Sequence, residues 1–114
     1  MAAEQSPEPS NDRRIAVLGG GNIGQALARG WARSGARRPE EITVTRRRVE
    51  RLESLSSEGV RVTDDNRAAV EEARTVVLAV QPQQLVDLLE EIRPALQPSR
   101  HLLVSVVSDV TIGE

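Results

Sequence analysis

The residues able to carry chemistry in this chain are few, and they cluster. Gly19-Gly20-Gly21-Asn22-Ile23-Gly24 follows directly on the apolar run Ile15-Ala16-Val17-Leu18. Gly19, Gly21 and Gly24 have the spacing G-x-G-x-x-G, which suits backbone capture of a dinucleotide's pyrophosphate. In that role Gly19 turns the chain sharply off a strand. Gly21 admits phosphate oxygens with no Cβ in the way, and Gly24 lets the next helix lie close on the strand. The helix would offer its free N–H groups and the positive end of its dipole to the anion. About twenty residues on, a carboxylate would bond the ribose hydroxyls of NAD. Here the chain reads Thr45-Arg46-Arg47-Arg48, with the next carboxylate at Glu50. Three guanidiniums beside a hydroxyl suit a dianionic 2′-phosphate, which arginine grips with paired hydrogen bonds. Positive charge in the first turn of a helix opposes its dipole, a conflict that a bound anion relieves. The expected cofactor is therefore NADP(H), with NAD(H) as the alternative.

Most other chemistries are excluded by composition. The 114 residues contain no cysteine and one histidine, His101, and all fifteen basic residues are arginine. Disulfides, thiolate or multi-histidine metal sites, Schiff bases and the lysine-bearing phosphate loop all fall away. His101 opens a strand and reads as an ordinary edge residue. No catalytic residue and no metal ligand is assigned. A net charge of −2 and a single aromatic residue, Trp31, argue against a nucleic-acid partner. No apolar run approaches the roughly 20 residues that a membrane helix needs.

The elements that position the cluster can be read along the chain. Apolar content of 39% and charged content of 28% suit one soluble globular domain. Residues 1–13 are polar with two prolines, and read as a disordered tail. They contain no apolar signal core, and their acids Glu4, Glu8 and Asp12 do not suit a transit peptide, so the cytoplasm is the default location. Residues 14–19 form a first strand. A helix over Asn22–Ser34 carries Ile23, Ala26, Leu27, Gly30 and Trp31 on its expected inner face, with Arg29 and Arg33 off it and Gly35 ending it. Trp31 reads as a packing residue. Ile42–Thr45 is a β-branched second strand. A crossover helix over residues 47–57 turns Val49, Leu52 and Leu55 inward, and residues 60–62 form a third strand. The turn at residues 63–66 caps a short helix with Ala69, Val70 and Ala73 inside. Residues 75–80 are apolar throughout and form a central strand. Pro82 starts a helix with Leu85, Leu88, Leu89 and Ile92 inward, and residues 101–107 form the last strand. Five strands alternating with four helices predict an α/β, Rossmann-type, doubly wound and mostly parallel sheet with helices on both faces, over residues 14–114.

With these elements in place, IAVLGGGNIGQALARGW, TDDNRAAV, VVLAVQPQ and VSVVSDVTI together resemble the N-terminal domain of pyrroline-5-carboxylate reductases, in order and spacing. The resemblance implies reduction of 1-pyrroline-5-carboxylate to proline by hydride from NAD(P)H, a step of proline biosynthesis. It implies that Gly19, Gly20, Gly21, Asn22, Ile23 and Gly24 hold the pyrophosphate, and that Thr45, Arg46 and Arg47 take the 2′-phosphate. Asn66 matches an adenosine-ribose contact. Ala79, Val80, Gln81 and Pro82 match the strand end beside the nicotinamide ribose, and Val107 and Ser108 face the nicotinamide. Two stretches depart from the family pattern. Gln81 stands where the family has lysine, and Val107-Ser108-Asp109-Val110 replaces small residues followed by glycine. A carboxylate at Asp109 would repel an anionic substrate or oblige that loop to take another shape. The resemblance also implies a helical dimerisation and substrate domain that these residues do not include, so NADPH binding with little turnover is expected of them alone. A non-catalytic NADP(H)-binding sensor or subunit is the first alternative. The cofactor domain of another NADP-dependent dehydrogenase is the second. Weak self-association is expected through the last strand, at Val104, Val106 and Val110.

Overall fold

Strict alternation along the strands decides which helices cover which face of the sheet. The computed structural model describes residues 13–106. Five parallel strands form one sheet: β1 (Ile15–Leu18), β2 (Ile42–Thr45), β3 (Arg61–Thr63), β4 (Thr75–Leu78) and β5 (Leu102–Ser105), in the order β3-β2-β1-β4-β5. Ile15, Val17, Val44 and Val77 point to one face. There they meet Ala28 of helix α1 (Asn22–Ser34) and Leu55 of the one-turn helix α2 (Glu53–Ser56). Ala16, Leu18, Val76 and Leu78 point to the other face. They meet Ala69 and Val70 of α3 (Asn66–Glu72), and Leu88 and Ile92 of α4 (Pro82–Ile92). The sheet is thus buried on both faces at its centre, as expected of a doubly wound fold.

The end signals mostly act as the residue types require. Gly35 ends α1 at φ +83° and Gly59 turns the chain before β3 at φ +96°, conformations that favour glycine. The Asp65 carboxylate accepts from the Ala68 N–H and caps α3. Pro82 occupies the first turn of α4, where its missing N–H is not needed. Trp31 is half-buried against the α1/α2 core, as a packing residue should be.

Three expectations are corrected. The inner face of α1 is rotated: Gly24 and Ala28 are buried and Leu27 and Trp31 half-buried, whereas Ile23, Ala26 and Gly30 are exposed. The cause is Gly24, which lies so close to β1 that a Cβ there would stand 2.2 Å from the Gly19 carbonyl oxygen. The crossover over residues 47–57 is a bend, a 3-10 turn (Val49–Leu52) and then α2. Val49, Leu52 and Leu55 recur every three residues, the period of a 3-10 helix, where such positions eclipse. Arg46 and Arg47 therefore precede the 3-10 turn and Arg48 is its N-cap, so none of the three lies in the first turn of a helix. His101 is more than an edge residue. Its Nδ1 accepts from the Gln97 N–H at 2.9 Å, so the neutral ring carries its proton on Nε2 and donates it to the Val70 carbonyl, also at 2.9 Å. The ring thereby ties the start of β5 to α3. The strands are also slightly shorter than expected, β4 ending at Leu78 and β5 at Ser105.

No helix among the described residues is long and apolar enough to cross a membrane. Of the expected tail over residues 1–13, residues 1–12 lie outside the described residues, as do Val107, Ser108, Asp109 and Val110, while Arg13 is described and bonds Glu41 and the Ala36 carbonyl.

Candidate functional site

The carboxyl ends of β1, β2 and β4 converge, because Leu18 of the middle strand is flanked by Thr45 on one side and Leu78 on the other. The glycine loop leaves β1 at that point. Gly19 has φ +104°, and a Cβ on it would fall 2.6 Å from the Ala79 carbonyl oxygen and 2.7 Å from Val80 Cγ1. Ala79 is held in place by its own N–H, which donates to the Leu18 carbonyl at 2.9 Å. Gly20 is constrained on the other side, since a Cβ would stand 2.8 Å from Leu52 Cδ2 and 3.1 Å from the Thr45 carbonyl oxygen. Gly21 differs from all of these: a Cβ there would meet nothing within 4 Å. The loop is therefore sealed beneath Gly19, Gly20 and Gly24 and open above Gly21, the arrangement a backbone cradle for an anion requires.

Helix α1 begins at this opening. Gly21 is its N-cap and supplies no side-chain acceptor, and its first turn carries no acidic residue. The first N–H groups and the positive end of the dipole are thus uncompensated by the helix's own side chains. Asn22 and Ile23, at the start of the helix, are exposed.

The second strand contributes a buried hydroxyl and a guanidinium. Thr45 is 2% exposed. Its hydroxyl accepts from the Gly19 N–H at 3.3 Å and donates to Asn66 Oδ1, so its single proton is committed inside the protein. Asn66 in turn donates from Nδ2 to the Glu91 carboxylate at 3.2 Å. Arg46 is half-buried and donates from Nη1 to the Gly20 carbonyl at 2.9 Å, which lays its guanidinium against the loop. Arg47 and Arg48 are exposed. At the end of β4, Ala79 and Val80 touch the loop, while Gln81 and Pro82 are exposed at the start of α4.

The structure thus gathers Gly19 through Gly24, Thr45, Arg46, Ala79 and Val80 at one edge of the sheet, with Asn66 reached through Thr45. Val107 and Ser108 lie outside the described residues. Two hollows, of about 180 Å³ beside Thr43 and Arg61 and about 280 Å³ beside Leu89 and Arg93, lie away from the loop. The loop itself is an open ledge.

Three contacts of the site carried no sequence signal. Gln25 donates from Nε2 to the Gly20 carbonyl at 2.7 Å, Glu91 anchors Asn66, and Leu52, expected to face inward, packs specifically beneath Gly20. Each reaches the site across a turn or from another element, and neither hydrophobic periodicity nor a short motif reports such reach.

Known proteins share this fold and much of this sequence. Residues 14–109 match the family described as NADP oxidoreductase, coenzyme F420-dependent. Pyrroline-5-carboxylate reductase 2 of Dictyostelium discoideum is 38% identical over 104 residues, a match covering 90% of this chain and 34% of that protein. A pyrroline-5-carboxylate reductase from Coxiella burnetii superposes with a TM-score of 0.78 at 34% identity, over 85% of this chain and 36% of that one. An imine reductase from Myxococcus stipitatus, solved with NADP+, superposes with a TM-score of 0.71 at 28% identity, over 83% of this chain and 32% of the other. The chain spans about a third or less of the length of the first curated relatives it matches. It belongs to the family of NADP oxidoreductases described as coenzyme F420-dependent, and it has the pyridine-nucleotide-binding fold that this family shares with pyrroline-5-carboxylate reductases.

Proposed function

We propose that residues 14–114 form the NADPH-binding domain of a pyrroline-5-carboxylate reductase. The observation that carries this reading is the joining of two sites. The loop open above Gly21 and the guanidinium of Arg46 are held together by the bond to Gly20. A dinucleotide laid along that ledge meets amide donors at its pyrophosphate and arginine at its 2′-phosphate. In this reading the N–H groups of Gly21, Asn22 and Ile23 bind the pyrophosphate. Arg46 and Arg47 bind the 2′-phosphate and set the preference for NADP(H) over NAD(H). Asn66 serves the adenosine ribose, while Ala79, Val80, Gln81 and Pro82 line the nicotinamide ribose and Val107 and Ser108 the nicotinamide.

Bound NADPH would supply the hydride that reduces the C=N bond of 1-pyrroline-5-carboxylate to proline. The residues of this chain bind and orient the cofactor, and none is assigned a proton-transfer role. The reading places the protein in the cytoplasm and includes weak self-association through β5, whose residues are exposed. Sedimentation showing a strict monomer at high concentration would remove that last part alone.

Titration with NADPH and NADH, followed by cofactor fluorescence, tests the core of the reading. NADPH should bind well below millimolar concentration and more tightly than NADH. Arg47→Ala should weaken NADPH by about tenfold or more and leave NADH unchanged, as expected for the loss of a charge-assisted hydrogen bond. Failure of both nucleotides to bind would refute the cofactor reading. Equal binding of the two would refute only the role of the arginines.

A further inference from the structure

The carbonyl oxygen of Gly20 receives two side-chain donors from different elements. Gln25 Nε2 reaches it at 2.7 Å from α1, and Arg46 Nη1 at 2.9 Å from the end of β2. A trans peptide is planar and directs its C=O and the following N–H to opposite sides, and no cis peptide occurs among the described residues. Holding the Gly20 oxygen therefore holds the Gly21 N–H, aimed away from both side chains. The peptide lies between two glycines, whose backbones have the widest conformational range. Without the two donors it can turn over and present the carbonyl's negative end where phosphate oxygens would sit.

We propose that Gln25 and Arg46 are positioning residues that lock the Gly20–Gly21 peptide with its N–H facing the anion. Arg46 then serves two phosphate sites, the pyrophosphate through the loop and the 2′-phosphate directly. Arg47 is exposed and has no side-chain bond among the described residues, and it serves the 2′-phosphate alone. This division rests on the reading of the loop as a pyrophosphate cradle. It departs from the sequence expectation, in which the arginines act as one cluster on the 2′-phosphate.

Calorimetric titration of the full chain with ADP-ribose and 2′-phospho-ADP-ribose separates the roles. Gln25→Leu should weaken both ligands alike, by about tenfold for one part-buried hydrogen bond to a loop that must then order itself. Arg46→Leu should weaken both, and the 2′-phosphorylated ligand more. Arg47→Ala should weaken the 2′-phosphorylated ligand alone. An Arg46→Leu variant that binds ADP-ribose as the parent does, or a Gln25→Leu variant unchanged towards both, overturns the lock. Should the parent protein bind neither ligand, the cradle reading fails, and the lock is tested by itself in the ligand-free protein. The Gly21 amide should then shift its resonance and exchange faster in both variants, with the melting temperature unchanged. A Gly21 amide that stays where it was overturns the proposal.

Discussion

Strands β1 and β5 are both four residues long and mostly apolar, yet they live in opposite surroundings. Ala16, Val17 and Leu18 of β1 have no exposed surface, whereas Leu102, Leu103 and Val104 of β5 are 58%, 43% and 39% exposed. The cause is sheet order. β1 is paired on both edges, with β2 and β4, and is packed on both faces. β5 is the outer strand beyond β4. An apolar run therefore identifies a strand but not its depth, and depth is what fixes the functional edge. The glycine loop is firmly anchored because it grows out of the buried strand, between two others that pair with it. β5 presents apolar side chains on both faces and carries neither charge nor proline, which is the character of a surface still able to pair or be covered.

The contrast can be broken first at the centre. Leu18→Ala should destabilise the fold by about 2–5 kcal/mol, because Leu18 is fully buried among rigid neighbours. Chemical denaturation would measure the loss, and a loss under about 1 kcal/mol would mean that the centre is less tightly packed than described. The next effect belongs to the loop. Gly24→Ala places a methyl group 2.2 Å from a backbone oxygen and should destabilise by about 1–3 kcal/mol while abolishing NADPH binding. Thermal melting and cofactor titration would show the two losses together. Unchanged binding would mean that α1 can lift off β1 freely.

A subtler difference concerns how the strands begin. β2 starts under Glu41, which is buried and accepts from the Arg38 N–H at 3.0 Å and from Arg13 Nε at 3.3 Å. The Arg38 backbone bond, helped by the charge on Arg13 and opposed by burial, holds its carboxyl below the ordinary carboxylate range. A depressed folded value means a contribution present in full above the unfolded carboxylate's range and lost as pH falls through the folded value. Glu41→Gln should thus destabilise the protein at neutral pH, and the gap from the parent should close on acidification. A gap independent of pH would assign the effect to packing. The smallest effect is expected at the edge. Leu102→Ser should change stability by no more than about 0.5 kcal/mol, and a larger loss would show that β5 is covered in solution.

Much of the site was legible because glycine spacing, strand ends and arginine position are local features. Gly19 and Gly24 suggest a sharp turn and a close approach by type and spacing, and the structure shows both, while Gly21 is left open. The rotation of α1 was not legible. Ile23, Ala26 and Gly30 fit an amphipathic period as well as Gly24, Leu27, Ala28 and Trp31 do. Only the approach of Gly24 to the Gly19 oxygen decides between the two faces. The crossover was misread because a three-residue recurrence of apolar residues can be taken for either helix type. The part of Thr45 was hidden for another reason. A hydroxyl at a strand end suits phosphate, but whether its proton is already spent on Asn66 depends on a partner 21 residues away.

The central claim is that the ledge above Gly21, bordered by Arg46 and Arg47, holds NADP(H). Equilibrium titration of the parent protein and of Arg47→Ala with NADPH and NADH tests it directly. The parent should bind NADPH more tightly than NADH, and the variant should lose that preference by about tenfold with NADH affinity unchanged. A parent protein that binds neither nucleotide below millimolar concentration would contradict it.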